Sequence, residues 1–131
     1  MSGYIGKLIL ELVTDSRGKC IETPSGRPQW MLHEPFAFQS DTLKRTIHIP
    51  IGFVTDLESC PRLPFVFWLF GDVSNEAAIT HDYLYTEGIE TRETCDAVLK
   101  EACLSEGVSE WKSFGIWAGV RVGGGSHFGS K

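Results

Sequence analysis

Apolar residues crowd positions 4–13 and stop at Thr14-Asp15-Ser16-Arg17-Gly18, a run of turn formers. This pattern predicts a strand followed by a tight reversal. Positions 29–33 and 36–38 predict further short strands. In Thr46-Ile47-His48-Ile49-Pro50 the apolar residues alternate with polar ones until Pro50. Proline cannot donate to a ladder, so this segment is expected at a sheet edge or a strand end. All 6 prolines precede residue 65, which disfavours long helices in the first half.

After Pro64 the spacing changes from two to three and four. A first helix is expected to begin near Ser74, an N-cap with Glu76 in its first turn, and to run through Ala77, Ala78 and His81 to about Tyr85, before Gly88. A second begins near Thr91, carries Val98, Leu99 and Ala102 on one face and ends at Gly107. A third begins at Ser109. It sets Trp111, Phe114 and Trp117 at three-residue steps, with Gly115, Gly119 and Gly123 along another row, a pattern that permits close packing against the first two helices. The glycine-rich positions 123–131 read as a tail. The whole is expected to be one α+β domain over residues 1–131: a small N-terminal antiparallel sheet in the mainly strand-and-loop region 1–65, packed against a three-helix unit over 74–122.

Composition narrows the function classes. The chain has 131 residues, 42% hydrophobic and 22% charged, as a globular domain does. Its net charge of −5 disfavours duplex nucleic acid as a partner. The longest apolar run, residues 63–70, is far below the roughly 20 residues of a membrane-spanning helix. The first residues lack the layout of a secretory signal, so the expectation is a protein that stays where it is made. Cys20, Cys60, Cys95 and Cys103 show no CxxC spacing and are expected as reduced, mostly buried thiols.

Chemistry concentrates in two places. Gly52-Phe53-Val54-Thr55-Asp56-Leu57-Glu58-Ser59-Cys60-Pro61-Arg62, a loop-like stretch, groups carboxylates, hydroxyls, a thiol and a guanidinium from Thr55 onward. Thr80-His81-Asp82-Tyr83-Leu84-Tyr85 is followed on the next helix by Arg92 and Asp96. If the first two helices form an antiparallel hairpin, His81 lies five residues before Thr86 and Asp96 five after Thr91, at the same height. Tyr85 shares the face of His81, so the three side chains are expected to meet between the helices. A carboxylate that holds one imidazole nitrogen leaves the other as a general base, and a neighbouring carboxylate can bind a polarising metal. The alternative is a buried polar bond with no chemistry. A zinc site from His33, His48, His81 and His127, or a nucleophilic triad of Ser59, His81 and Asp96, has weaker support from spacing.

Two resemblances bear on these residues. The order Ile49-Pro50-x-Gly52-Phe53-x-Thr55-Asp56-Leu57-x-Ser59-x-Pro61-Arg62, then His81-Asp82-x-Leu84-Tyr85, then Arg92-x-x-x-Asp96, resembles a family of small phage and prophage proteins grouped as domain of unknown function 1353. The resemblance implies a phage origin and a place in the bacterial host cytoplasm or in the virion. Locally, Ala78-Ile79-Thr80-His81-Asp82-Tyr83-Leu84-Tyr85 with Cys95-Asp96 is similar to the active-site helices of secreted phospholipases A2. That similarity implies that His81 activates water, Asp82 binds calcium, and Asp96 orients His81 with help from Tyr85. The phospholipase disulfide framework and glycine-rich calcium loop have no counterpart here.

The leading expectation is therefore a hydrolase-like protein with His81, Asp96 and Tyr85 as the catalytic group and Asp82 and Asp56 on a divalent metal, calcium in preference to zinc. Arg62, Arg92 and Ser59 would hold a lipid or cell-wall ester, amide or phosphodiester. Phe65, Phe67, Trp68 and Phe70 would meet a lipid interface, or phage structural proteins if the chain is instead a non-catalytic virion or tail-assembly protein. A third reading is an anion-binding protein that counters host defence through Arg62 and Arg92.

Overall fold

The computed structural model describes residues 2–24, 26, 28–55 and 74–123, and those alone are discussed below. Among the described residues the element order is six strands, then three helices. The strands are β1 (Gly3–Ile5), β2 (Leu10–Leu12), β3 (Trp30–Leu32), β4 (Phe36–Ser40), β5 (Arg45–Ile49) and β6 (Val54–Thr55); the helices are α1 (Asn75–Glu87), α2 (Arg92–Ser105) and α3 (Glu110–Gly123). The α+β expectation holds, with one correction. The strands form two antiparallel sheets of three, ordered β1-β4-β5 and β2-β3-β6, where a single small sheet was expected.

The cause lies in the stretch read as one strand. Gly6 sits at φ +89° with the Pro35 carbonyl 3.1 Å from where a Cβ would be, so the backbone turns at a place other residues rarely occupy. Upstream of it β1 joins β4, with Tyr4 opposite Phe38; downstream β2 joins β3, with Leu10 opposite Leu32. The reversal after β2 forms where its residues predict. The Asp15 carboxylate accepts from the amides of Arg17 (2.8 Å) and Lys19 (3.0 Å), as a turn-forming Asp does.

β4 and β5 form a hairpin with Phe36 opposite Ile49 and Phe38 opposite Ile47. The alternation in β5 sends Ile47 and Ile49 inward and leaves His48 exposed. β5 pairs with β4 alone and ends at Pro50, the edge position expected of it. These side chains share one core with Leu32 and with Ile79, Leu84, Val98, Leu99, Ile116 and Val120 of the helices.

The helix caps follow the sequence. The Ser74 hydroxyl accepts from the Ala77 amide at 3.1 Å, and Gly88 closes α1 in the left-handed region at φ 66°. The Thr91 hydroxyl accepts from the Thr94 amide at 3.2 Å and starts α2. α3 packs on α2: it buries Ser113, Gly115, Ile116, Gly119 and Val120, while Trp111 and Phe114 remain exposed. Gly115 and Gly119 thus face inward. Among the described residues no helix is long and apolar enough to cross a membrane.

Candidate functional site

The α1–α2 hairpin sets His81 and Asp96 at one height, as the residue count predicts. His81 Nε2 lies 2.9 Å from Asp96 Oδ1, with His81 1% exposed and Asp96 0%. One turn after His81, the Tyr85 hydroxyl donates to the same Oδ1, and its ring packs at a centroid distance of 4.2 Å from the imidazole. The three residues expected to meet between the helices do meet.

The other carboxylate oxygen, Oδ2, faces α3. Arg121 Nη1 donates to it at 3.0 Å, and Arg92 Nε lies 4.0 Å away. Burial opposes ionisation of Asp96, but the hydrogen bonds from His81, Tyr85 and Arg121 outweigh it. The carboxyl is held below its ordinary range, so the buried group is a carboxylate. Tyr85 moves the opposite way: desolvation first, then the neighbouring carboxylate, raise its hydroxyl well above the usual tyrosine range, and it stays a donor. Cys95, buried beside Asp96, is pushed up to about 12 by desolvation and then by that charge, so it is a thiol rather than a nucleophile.

With an acceptor at Nε2, the neutral imidazole of His81 carries its proton on that nitrogen and a lone pair on Nδ1. Nδ1 is buried and has no hydrogen-bond partner, a condition it shares among the described residues with Arg92 Nε and Ser113 Oγ. A buried polar atom left unmatched costs about 1–3 kcal/mol, and folds seldom leave one without a reason. The group is therefore a carboxylate-oriented histidine with its second nitrogen unused by the fold.

Of the other expected site residues, Asp82 is half-buried on α1, about 100° round the helix from its neighbour His81, and is itself engaged in an interaction. Arg92 is used within the fold: its Nη2 donates to the carbonyls of Val120 (2.9 Å) and Arg121 (2.5 Å) at the end of α3. Asp56, Ser59, Cys60, Arg62, Phe65, Phe67, Trp68 and Phe70 lie outside the described residues. Cys20, Cys95 and Cys103 form no disulfide, with Cys95 and Cys103 buried and Cys20 half-buried. No group of three or more His, Cys, Asp or Glu able to hold a metal ion occurs among the described residues.

Arg121 is a member of the cluster that the sequence analysis does not single out. The height count that found Asp96 would have found it too. Asp96 lies nine residues before the end of α2 and Arg121 eleven after the start of α3, so an antiparallel α2–α3 pair brings them level to within about one turn.

The model of the family described as "Protein of unknown function (DUF1353)" matches residues 30–120. That span carries β3 to β6, both helices of the His–Asp pair and nearly all of α3, ending one residue before Arg121. No curated protein and no solved structure matches the chain.

Proposed function

The chain belongs to the DUF1353 family, and we propose that it is a hydrolase-like protein in which His81 acts as general base, oriented by Asp96 and supported by Tyr85. The observation that carries this reading is the unpartnered Nδ1 of a buried imidazole whose Nε2 is held by a carboxylate. In the proposed reaction Nδ1 takes a proton from water as the water oxygen bonds to an acyl carbon or phosphorus. Asp96 stabilises the imidazolium that forms. Collapse of the intermediate breaks the bond to the leaving oxygen or nitrogen, which takes the proton back from Nδ1. A lipid or cell-wall ester, amide or phosphodiester suits this chemistry.

The proposal extends to a divalent cation on Asp82 and Asp56, calcium before zinc. Asp82 is the single described member of that donor pair, whereas calcium takes six to eight oxygens. The described residues therefore do not make a complete metal site, and no step is written through a metal. The phage setting implied by the motif order, and a place in the bacterial host cytoplasm or the virion, belong to the proposal as well.

Two experiments test it. His81→Ala is expected to abolish hydrolysis of the ester, amide or phosphodiester that the parent turns over in a substrate screen. Its fold should stay within about 1–2 kcal/mol of the parent, a common range for one substitution. Turnover by the variant, or its gross unfolding, would mean that the imidazole serves the fold instead. For the metal, thermal unfolding of the parent and Asp82→Asn with EDTA, Ca²⁺ or Zn²⁺ decides. A cation at 100 times its dissociation constant stabilises by roughly 2.7 kcal/mol, and that gain should vanish in the variant. Equal melting in all conditions would remove the metal from the proposal.

A further inference from the structure

A histidine presents two possible tautomers, and a carboxylate held at one oxygen can swing about its last side-chain bond, which has a broad torsional well. Asp96 is not held that way. Its Oδ1 takes the bonds from His81 and Tyr85, while its Oδ2 takes Arg121 Nη1 at 3.0 Å. Arg121 is in turn fastened at both ends. Its backbone carbonyl accepts from Arg92 Nη2 at 2.5 Å, next to the Val120 carbonyl at 2.9 Å, and its Nη2 reaches Glu93 Oε1 at 3.5 Å. The last turn of α3 is thereby tied to α2 at the level of the His–Asp pair.

We infer that Arg121 is a positioning residue for this pair: by occupying Oδ2 it commits Oδ1 to His81 Nε2–H and Tyr85, and so fixes the tautomer that leaves Nδ1 as the acceptor. The inference rests on the reading of His81 as a base and deepens it. The site is completed by a third helix, and the order of action runs from Arg92 through the Arg121 backbone and guanidinium to the Asp96 carboxylate and the imidazole. A guanidinium that only neutralised a buried charge would affect stability without governing which imidazole nitrogen holds the proton. Lysine supplies the same charge from a single point, so it tests how far charge alone suffices.

The test is imidazole nitrogen–proton correlation NMR on the full chain labelled at histidine, about two pH units above the ordinary histidine pKa of about 6.5. His81→Gln identifies the His81 signals by their loss. In the parent, Nε2 is expected at the position of a protonated ring nitrogen and Nδ1 at that of a bare one. Arg121→Gln should move both signals toward the averaged position of a mixed tautomer, and Arg121→Lys should recover most of that shift. An unchanged His81 pattern in folded Arg121→Gln overturns the positioning role while leaving the base intact. A parent spectrum with the proton on Nδ1 overturns the base reading itself. If Arg121→Gln does not fold, the parent's own guanidinium decides. Separate, slowly exchanging Nη protons of Arg121 are expected from a clamped group, and a single averaged signal typical of a solvated arginine would overturn the inference.

Discussion

Two carboxylates of helix α2, Asp96 and Glu101, are held below the protein surface by similar means but with different partners. Glu101 accepts from the Ser2 hydroxyl, from the Ser40 hydroxyl at 2.7 Å, and from the amides of Asp41 (2.7 Å) and Thr42 (3.2 Å). It ties the β4–β5 turn to the helix, and none of its partners is left unmatched among the buried atoms described. For both carboxyls burial opposes ionisation and hydrogen bonds outweigh it, so both lie below their ordinary range. The difference lies in the donors. Glu101 collects hydroxyls and backbone amides, none of which is left among the buried unmatched atoms described, whereas Asp96 collects an imidazole, a phenol and a guanidinium. From that set one nitrogen, His81 Nδ1, emerges buried and unused. The Glu101 cluster closes on itself, whereas the Asp96 cluster leaves His81 Nδ1 over, the nitrogen that the general-base proposal uses.

The comparison breaks most visibly at Asp96. Asp96→Ala removes the anion from between His81 and Arg121 and leaves the Arg121 guanidinium with only the exposed Glu93 carboxylate beside it. Loss of one partner from a buried ion pair commonly costs about 3–5 kcal/mol, and urea unfolding should show a loss of that size. A loss below about 1 kcal/mol would mean that the cluster is wetter and weaker than its burial indicates. Activity should vanish as well, because the imidazole loses its orienting acceptor.

Glu101→Ala should sit lower on the same scale. It strands one backbone amide at each of Asp41 and Thr42 near the surface, where water can replace the carboxylate, and about 1–3 kcal/mol is expected from the same unfolding measurement. The sharper half of the prediction is what does not change. The His81 nitrogen signals should match the parent's, since Glu101 shares no hydrogen bond with the Asp96 cluster. A tautomer shift in Glu101→Ala would show that α2 transmits strain between the two clusters and would dissolve the distinction drawn above.

How much of this was legible in the sequence depends on distance along the chain. The α1–α2 pair was, because Ser74, Gly88 and Thr91 fix where the helices start and stop, and a short connection then sets the height of His81 against Asp96. The strands were legible one at a time through the alternation around Ile47 and Ile49. Their division into two sheets was not, because it turns on the positive φ of Gly6 against the Pro35 carbonyl, a contact between residues far apart in sequence. Glu101 was hidden for a related reason: its donors lie on Ser2, Ser40, Asp41 and Thr42, and two of them are backbone amides that leave no side-chain signature. Arg121 was within reach of the helix count, but a basic residue in the last turn of a helix reads first as a partner of the helix dipole.

The smallest effect is a slope, and acid titration of stability resolves it. A carboxyl whose pKa is lower in the folded state than in the unfolded chain stabilises the fold fully above the unfolded value, about 3.9 for Asp and 4.3 for Glu. That contribution fades as the pH falls toward the folded value, because the folded state must then give up bonds that only the anion accepts well. Both carboxylates lie on this side, so the parent should lose stability as the pH drops below about 4. Asp96→Asn and Glu101→Gln each delete one titrating group, so each variant, whatever its stability at neutral pH, should show a shallower acid limb than the parent. Asp96→Asn should flatten it more, since Asp96 is fully buried and bonded to the Arg121 guanidinium, while Glu101 is half-buried among neutral donors. Equal limbs in parent and Asp96→Asn would mean that the Asp96 carboxyl titrates alike folded and unfolded. The imidazole would then have no fixed anion to orient it, and the contrast between Asp96 and Glu101 would fail.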